Sequence, residues 1–135
     1  FDPSHVDEEI DFMSMDVSFI SLKLIFPVAA KLLKDGGSIL CLVKPQFEAG
    51  REQVGKNGIV RDIKVHEEVI EKVISYAQEN NLIAKNLTFS PITGAKGNIE
   101  YLLHLNKQKN IGYNKSYTDN FNVSEVVQIS HAELV

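Results

Sequence analysis

Apolar and polar residues alternate along this chain with a period that changes from segment to segment. Residues 9–15 (EIDFMSM) form a short apolar run of strand length that ends at Asp16. In the following SFISLKLIFPVAAKLLKDGG, Ile25, Ala29, Leu32 and Leu33 fall at helical spacing, and Gly36-Gly37 supplies a left-handed stop. Proline deep in a helix costs about 3 kcal/mol, so the pattern predicts a turn near residues 18–22 and a helix that starts around Pro27. Residues 38–43 (SILCLV) are continuously apolar, the pattern of a strand covered on both faces, and stop at Lys44-Pro45.

Residues 46–62 read as a long polar loop carrying Gly50, Gly55 and Gly58 and the cations Arg51, Lys56 and Arg61. Residues 64–78 then place Val65, Val69, Ile70, Val73, Ile74 and Ala77 on one face, an amphipathic helix that Asn80-Asn81 ends. Residues 82–89 read as a strand, 90–98 (SPITGAKGN) as a turn and 99–105 as a returning strand. Right-handed crossovers make the first three strands parallel, and the short last connection turns the final strand antiparallel. This is an α/β chain, half of an open sheet. Residues 107–122 look like a polar linker, and 123–135 like a closing helix capped by Ser124, giving a main unit 1–106 and a tail 107–135.

Composition narrows the class. With 135 residues, 44% of them apolar and 24% charged, the chain can bury the core of one soluble domain. Its single thiol, Cys41, excludes an internal disulfide framework, and the composition is neither collagenous nor that of a disordered chain. No apolar stretch approaches membrane-spanning length, which points to the cytoplasm and away from a membrane. The chain opens on Phe1 rather than Met and so reads as a piece of a longer one. A pI near 5.5 offers no general attraction to nucleic acid, so such binding needs a local patch; residues 44–64 hold five cations against three anions. The histidines and Cys41 do not share metal-ligand spacing, so no metal site is expected.

Ligands of open α/β sheets bind beyond the carboxyl ends of the parallel strands. Asp16 ends the first strand and Lys44 the second, while the reversed last strand begins at the same edge with Glu100. Singly, each has an ordinary reading: Asp16 as a turn cap, Lys44 as a solvated lysine, Glu100 as an exposed face residue. Their convergence on one rim, one lysine between two carboxylates, is what marks them as candidates.

The segments DVSFISL (16–22), LVKPQFEAGREQVGKNGIVRD (42–62) and SPITGAKGNIEYL (90–102) resemble the TlyA family, often labelled hemolysin A, whose methyltransferase domain is of the FtsJ type. The resemblance spans nearly all of residues 10–106. It implies the C-terminal half of a Rossmann-like sheet with an antiparallel last strand, S-adenosylmethionine as cofactor, and methylation of a ribose 2′-hydroxyl in ribosomal RNA. FtsJ-type enzymes use a Lys-Asp-Lys-Glu tetrad, whose Asp falls on Asp16, second Lys on Lys44 and Glu on Glu100. The resemblance also sets Asp16, Val17, Ser18 and Phe19 beside the methionine end of the cofactor. It puts the first tetrad Lys, the glycine-rich cofactor loop and an S4-type RNA-binding domain upstream of Phe1, so the piece alone is expected to be inactive.

A ribose hydroxyl is a poor nucleophile, so methyl transfer requires a base or strict orientation at the oxygen and an in-line approach. Asp16 and Glu100 would fix Lys44 in position and favour its charged form, whereas desolvation or a second cation would favour the neutral amine. Arg51, Lys56 and Arg61 are the candidates for RNA phosphates. Two other readings remain: a cytolysin, opposed by the acidic polar face of the amphipathic helix (Glu67, Glu68, Glu71), and a non-catalytic RNA-binding relative.

Overall fold

The computed structural model describes residues 10–18, 20–55, 58–94, 97–108 and 121–134. β1 (Ile10–Met15) crosses through α1 (Leu22–Leu32) to β2 (Leu33–Val43), and the short α2 (Pro45–Glu48) and a 3-10 turn (Arg51–Gln53) lead to α3 (Ile63–Glu79). β3 (Leu82–Phe89) and β4 (Tyr101–Lys107) form a hairpin, and α4 (Val123–Leu134) closes the chain.

The sheet order is β1-β2-β4-β3, with β1 parallel to β2 and β4 antiparallel to both of its neighbours. The strand directions agree with those expected from the sequence. The order adds that β4 inserts between β2 and β3 and that, among the described residues, β1 and β3 stand at the two ends of the sheet.

α1 departs from expectation at both ends. It starts at Leu22 rather than at Pro27, because its first turn is secured by groups on and off the segment. Ser21 Oγ accepts from the Lys23 N–H (3.1 Å), and the Glu48 carboxylate accepts from the Leu22 N–H (2.8 Å) and the Ser21 hydroxyl (3.0 Å). Pro27 lies on the exposed side, so the carbonyl it deprives of a donor belongs to the exposed Lys23. At the other end Leu33 is already extended, and Gly36-Gly37 lie within β2 rather than stopping a helix. They occupy a bulge: Ile10 pairs with Leu33 but Phe12 with Ser38, and Gly36 takes a φ of 85°.

α3 follows its periodicity. Asp62 caps it by accepting from the Lys64 N–H (2.8 Å), Val65, Val69, Ile70, Val73, Ile74 and Ala77 are buried, and Asn81 turns the chain with a φ of 61°. The expected loop 46–62 is partly helical, since Pro45 at a first helical position starts α2. For α4 the cap is Asn122, whose side chain accepts from the Glu125 N–H (3.0 Å); Ser124 lies inside the helix and donates to Glu67 (3.0 Å). α4 packs against α3 and β3, with Val127 fully buried.

The core lies between one sheet face and the helices, where Ile39, Cys41, Val43, Tyr101, Leu103 and Leu105 meet Phe26, Ile70, Val73 and Ile74. Among the described residues, residues 38–43 are therefore covered on one face only. Burial alternates along β2, and on the opposite face Leu40 and, on β1, Phe12 stay exposed (37% and 58%), because among the described residues the helices pack on one side only.

Candidate active site

The register of the sheet decides what meets at its rim. Val43 pairs with Tyr101, so Lys44, just past β2, and Glu100, just before β4, occupy neighbouring positions at one edge. β1 runs parallel beside β2 and delivers Asp16 to that edge.

The side chains then divide into two groups. Lys44 Nζ forms an ion pair with Asp16 and donates to Ser18 Oγ (3.1 Å), and it lies 5.8 Å from the centre of the Phe47 ring. The lysine is largely enclosed, its side chain 11% exposed, whereas Asp16 is 60% exposed. Glu100 is buried and is held by Gln46, whose amide nitrogen donates to its carboxylate (2.9 Å). Gly94 leaves the room it needs: a Cβ there would stand 2.1 Å from Glu100 Oε2. The structure thus brings Asp16 and Lys44 into contact and sets Glu100 beside them on Gln46, rather than in the same ion pair.

Three residues that the sequence reading passed over shape this edge. Gln46 fastens Glu100, and its other amide atom, Oε1, is buried without a hydrogen-bond partner among the described residues. Glu48 ties α2 to the start of α1, and Lys72 donates to its backbone carbonyl. Burial pushes the Glu48 carboxyl above its ordinary range, against the opposing hydrogen bonds from Leu22 and Ser21 and the charge of Lys72. The third is His66, fully buried between Tyr101 Oη (2.8 Å) and the Val60 carbonyl (2.8 Å), with burial lowering its pKa. The signal for Gln46 and Glu48 was their place in KPQFE, next to the lysine; that for His66 was its helical spacing, three and four residues before Val69 and Ile70, which sets it on the buried stripe of α3.

Of the other sequence candidates, Val17 lies between Asp16 and Ser18 and packs on the core, and Ser18 holds Lys44. Arg61 is exposed in the loop before α3. Phe19, Lys56 and the side chain of Arg51 lie outside the described residues. Cys41 is a core residue, its thiol pushed up to about 12 by burial and then by the Glu48 charge.

The chain is similar to known proteins. YqxC of Bacillus subtilis, whose name assigns it to the rRNA methyltransferases, is 60% identical over 95 residues, which are 70% of this chain and 34% of that protein. The 16S/23S rRNA (cytidine-2′-O)-methyltransferase TlyA of Mycobacterium tuberculosis is 36% identical over 106 residues, 78% of this chain and 40% of TlyA. A solved structure from Streptococcus thermophilus, named as a hemolysin, superposes with a TM-score of 0.88 at 49% identity, covering 98% of this chain and 47% of that one. The chain therefore spans less than half the length of each. The FtsJ-like methyltransferase family matches residues 2–107, from the segment before β1 to the end of β4 and across Asp16, Lys44 and Glu100. Sheet, rim and family match coincide over the same residues, and the chain belongs to the FtsJ-like methyltransferase family.

Proposed function

We propose that this chain is part of an S-adenosylmethionine-dependent methyltransferase that modifies a ribose 2′-hydroxyl of ribosomal RNA in the cytoplasm, with residues 1–106 as the methyltransferase part and 107–135 as linker and closing helix. The observation that carries it is the enclosed Lys44 held by Asp16 and Ser18 at the carboxyl edge of the sheet, with Glu100 alongside. The names of the B. subtilis and M. tuberculosis relatives support it. Transfer is assigned to the whole protein rather than to these 135 residues alone.

The residues present suit both reactants. The exposed Asp16 carboxylate and the Ser18 hydroxyl would hold the amino-acid end of the cofactor, with Val17 and Phe19 beside them. When bound, S-adenosylmethionine supplies an electrophilic methyl group on its sulfonium. Lys44 would orient the ribose oxygen and, in its neutral amine form, would accept the proton that the hydroxyl gives up, Asp16 and Ser18 would keep the amine from swinging away, and Glu100 on Gln46 would fix the sugar from the other side. Arg51, Lys56 and Arg61 meet RNA phosphates.

The test uses the full-length protein with labelled S-adenosylmethionine and ribosomal subunits. Lys44→Ala is expected to lower transfer by about 10²–10⁴-fold, the usual worth of a positioned acid–base group, while cofactor binding persists. Unchanged transfer would overturn the role of Lys44. Lysis of membranes by the purified protein, surviving this substitution, would favour the cytolysin; no helix among the described residues is long and apolar enough to cross a membrane.

A further inference from the structure

The segments GIVRD (58–62) and SPITGAKGN (90–98) are far apart in sequence, and one buried side chain joins them. Asn98 is 2% exposed; its Nδ2 donates to the Gly58 carbonyl (2.9 Å), and its Oδ1 accepts from the Val60 N–H (3.0 Å). Its own carbonyl accepts from the Gly94 N–H (2.7 Å), which closes the turn before β4. The preceding Gly97 takes a φ of 84°, and a Cβ there would meet no atom within 4 Å, so glycine is needed for the backbone bend rather than for room. Through that bend the chain passes from the exposed Gly97 to the buried Asn98.

Each side of this clasp leads to a residue of the proposed site. On one side, both polar backbone groups of Val60 are taken by side chains, the N–H by Asn98 and the carbonyl by His66, whose Nε2 donates to it (2.8 Å). Arg61 comes next and is exposed, and Asp62 after it caps α3. Arg61 is thus presented from a backbone fixed before and after it. Phe89 pairs with Tyr101, so β3 ends at the edge that carries Lys44, and α3, which leads into the far end of β3, begins at that same edge with Arg61 before it. On the other side, Asn98 stands two residues before Glu100, and the Gly94 it holds is the position where a Cβ would strike the Glu100 carboxylate.

Resting on the reading of Arg61 as a phosphate contact and Glu100 as a rim residue, we propose that Asn98 is a positioning residue for methyl transfer. It holds the loop that grips the RNA backbone in a fixed place relative to the rim, so that a strand seated on Arg61 has its target ribose in register with Lys44 and Glu100. Asn98 touches neither reactant; its amide uses one donor and one acceptor on two backbone groups of the other loop. Losing either lets residues 58–60 shift. A phosphate contact adapts to a small shift, because it positions the strand through charge, whereas in-line transfer does not.

The experiment uses the full-length protein, labelled S-adenosylmethionine and ribosomal subunits. Asn98→Asp keeps an acceptor for the Val60 N–H and loses the donor to Gly58. At a temperature where melting shows the variant folded, kcat is expected to fall by about 10- to 100-fold while KM for the subunit stays within about threefold. Arg61→Gln should lower kcat/KM by about tenfold in the parent and by less than about twofold in the Asn98→Asp background, because a misplaced cation no longer sets the register. A merely structural clasp would lower the melting temperature and leave both kinetic readings at parent values. Parent-like kcat in the folded variant, or equal effects of Arg61→Gln in the two backgrounds, would therefore overturn the positioning role. A second measurement needs no change at Asn98. Amide hydrogen exchange in the parent should show segments 58–62 and 90–98 gaining protection together when subunits bind, and losing that gain together in Arg61→Gln. Protection confined to 58–62 would overturn the coupling even where Asn98→Asp does not fold. Transfer that is lost on Lys44→Ala but runs at the parent kcat in Asn98→Asp would sink the clasp alone, whereas a parent that transfers no methyl group to ribosomal RNA would sink the function on which it rests.

Discussion

Glu48 offers the sharpest perturbation of the fold around the candidate site. Its carboxylate accepts from the Leu22 N–H and the Ser21 hydroxyl, and Leu22 is only 2% exposed, so Glu48→Ala leaves the N–H of a buried residue with no partner and no water. An orphaned buried donor costs about 1–3 kcal/mol, and a hydrogen bond to a charged group contributes about 1.5–3 kcal/mol. These overlap, and release of the carboxylate from its buried position offsets part of the loss, so the expected net destabilisation is about 2–3 kcal/mol, a large share of the roughly 5–15 kcal/mol of a typical domain. Glu48→Gln keeps an oxygen for Leu22 and should cost about 1 kcal/mol or less. Urea denaturation followed by circular dichroism measures both, with the slope m checked for constancy. The pH profile supplies a second sign. Because burial raises the Glu48 carboxyl above its ordinary 4.5, the folded chain holds this proton to higher pH than the unfolded chain. The associated stability is therefore fully present below the unfolded value and is lost as pH rises through the folded one; Glu48→Gln should remove that decline. If Glu48→Ala and Glu48→Gln were equally stable, or both within about 0.5 kcal/mol of the parent, the account of α1 anchored by α2 would be wrong.

Two further outcomes follow from the same geometry. Burial holds the His66 imidazole below its ordinary 6.5, so the unfolded chain takes up that proton first and stability falls as pH drops through about 6.5 toward the lower folded value. Thermal unfolding from pH 7.5 to 5 should show a shallower acid-side decline in His66→Gln, and an equally steep one would refute this assignment. Gly94→Ala places a methyl where Glu100 Oε2 now lies, so Glu100 must leave Gln46. In the full-length protein the expected result is a kcat for methyl transfer lower by about 10- to 100-fold with KM little changed, since misplacement by an ångström has cost of that order. Parent-like kcat would show that the position of Glu100 is unimportant.

The elements legible from sequence were those whose pattern is self-contained. α3 carries an unbroken apolar stripe and its own cap at Asp62, and β3 and β4 are bracketed by Asn80-Asn81 and a Pro/Gly turn, so neither depends on distant residues. α1 could not be bounded because the group that secures its first turn, Glu48, comes from 26 residues further along. A run such as SILCLV reports hydrophobicity but not how many faces are covered, and here only Ile39, Cys41 and Val43 are buried. The rim was legible to the extent that it follows from strand direction: Asp16, Lys44 and Glu100 reach one edge. What each side chain touches there depends on rotamer and register, which is why the Lys44–Ser18 and Glu100–Gln46 contacts emerged only in three dimensions.

The insertion of β4 between β2 and β3 has a consequence for how this protein is made. As the polypeptide leaves the ribosome, β2 can pair with β1 at once, but β3 emerges before its partner, since its only neighbour in the sheet among the described residues is β4. Residues 44–100 must be synthesised between the end of β2 and the start of β4, which at roughly 5–20 residues per second takes about 3–12 s. For that interval Ile39, Cys41 and Val43 sit on a strand with one side unpaired, and the hairpin that completes the sheet closes last. For those seconds the unpaired side of β2 is open to pairing with another chain.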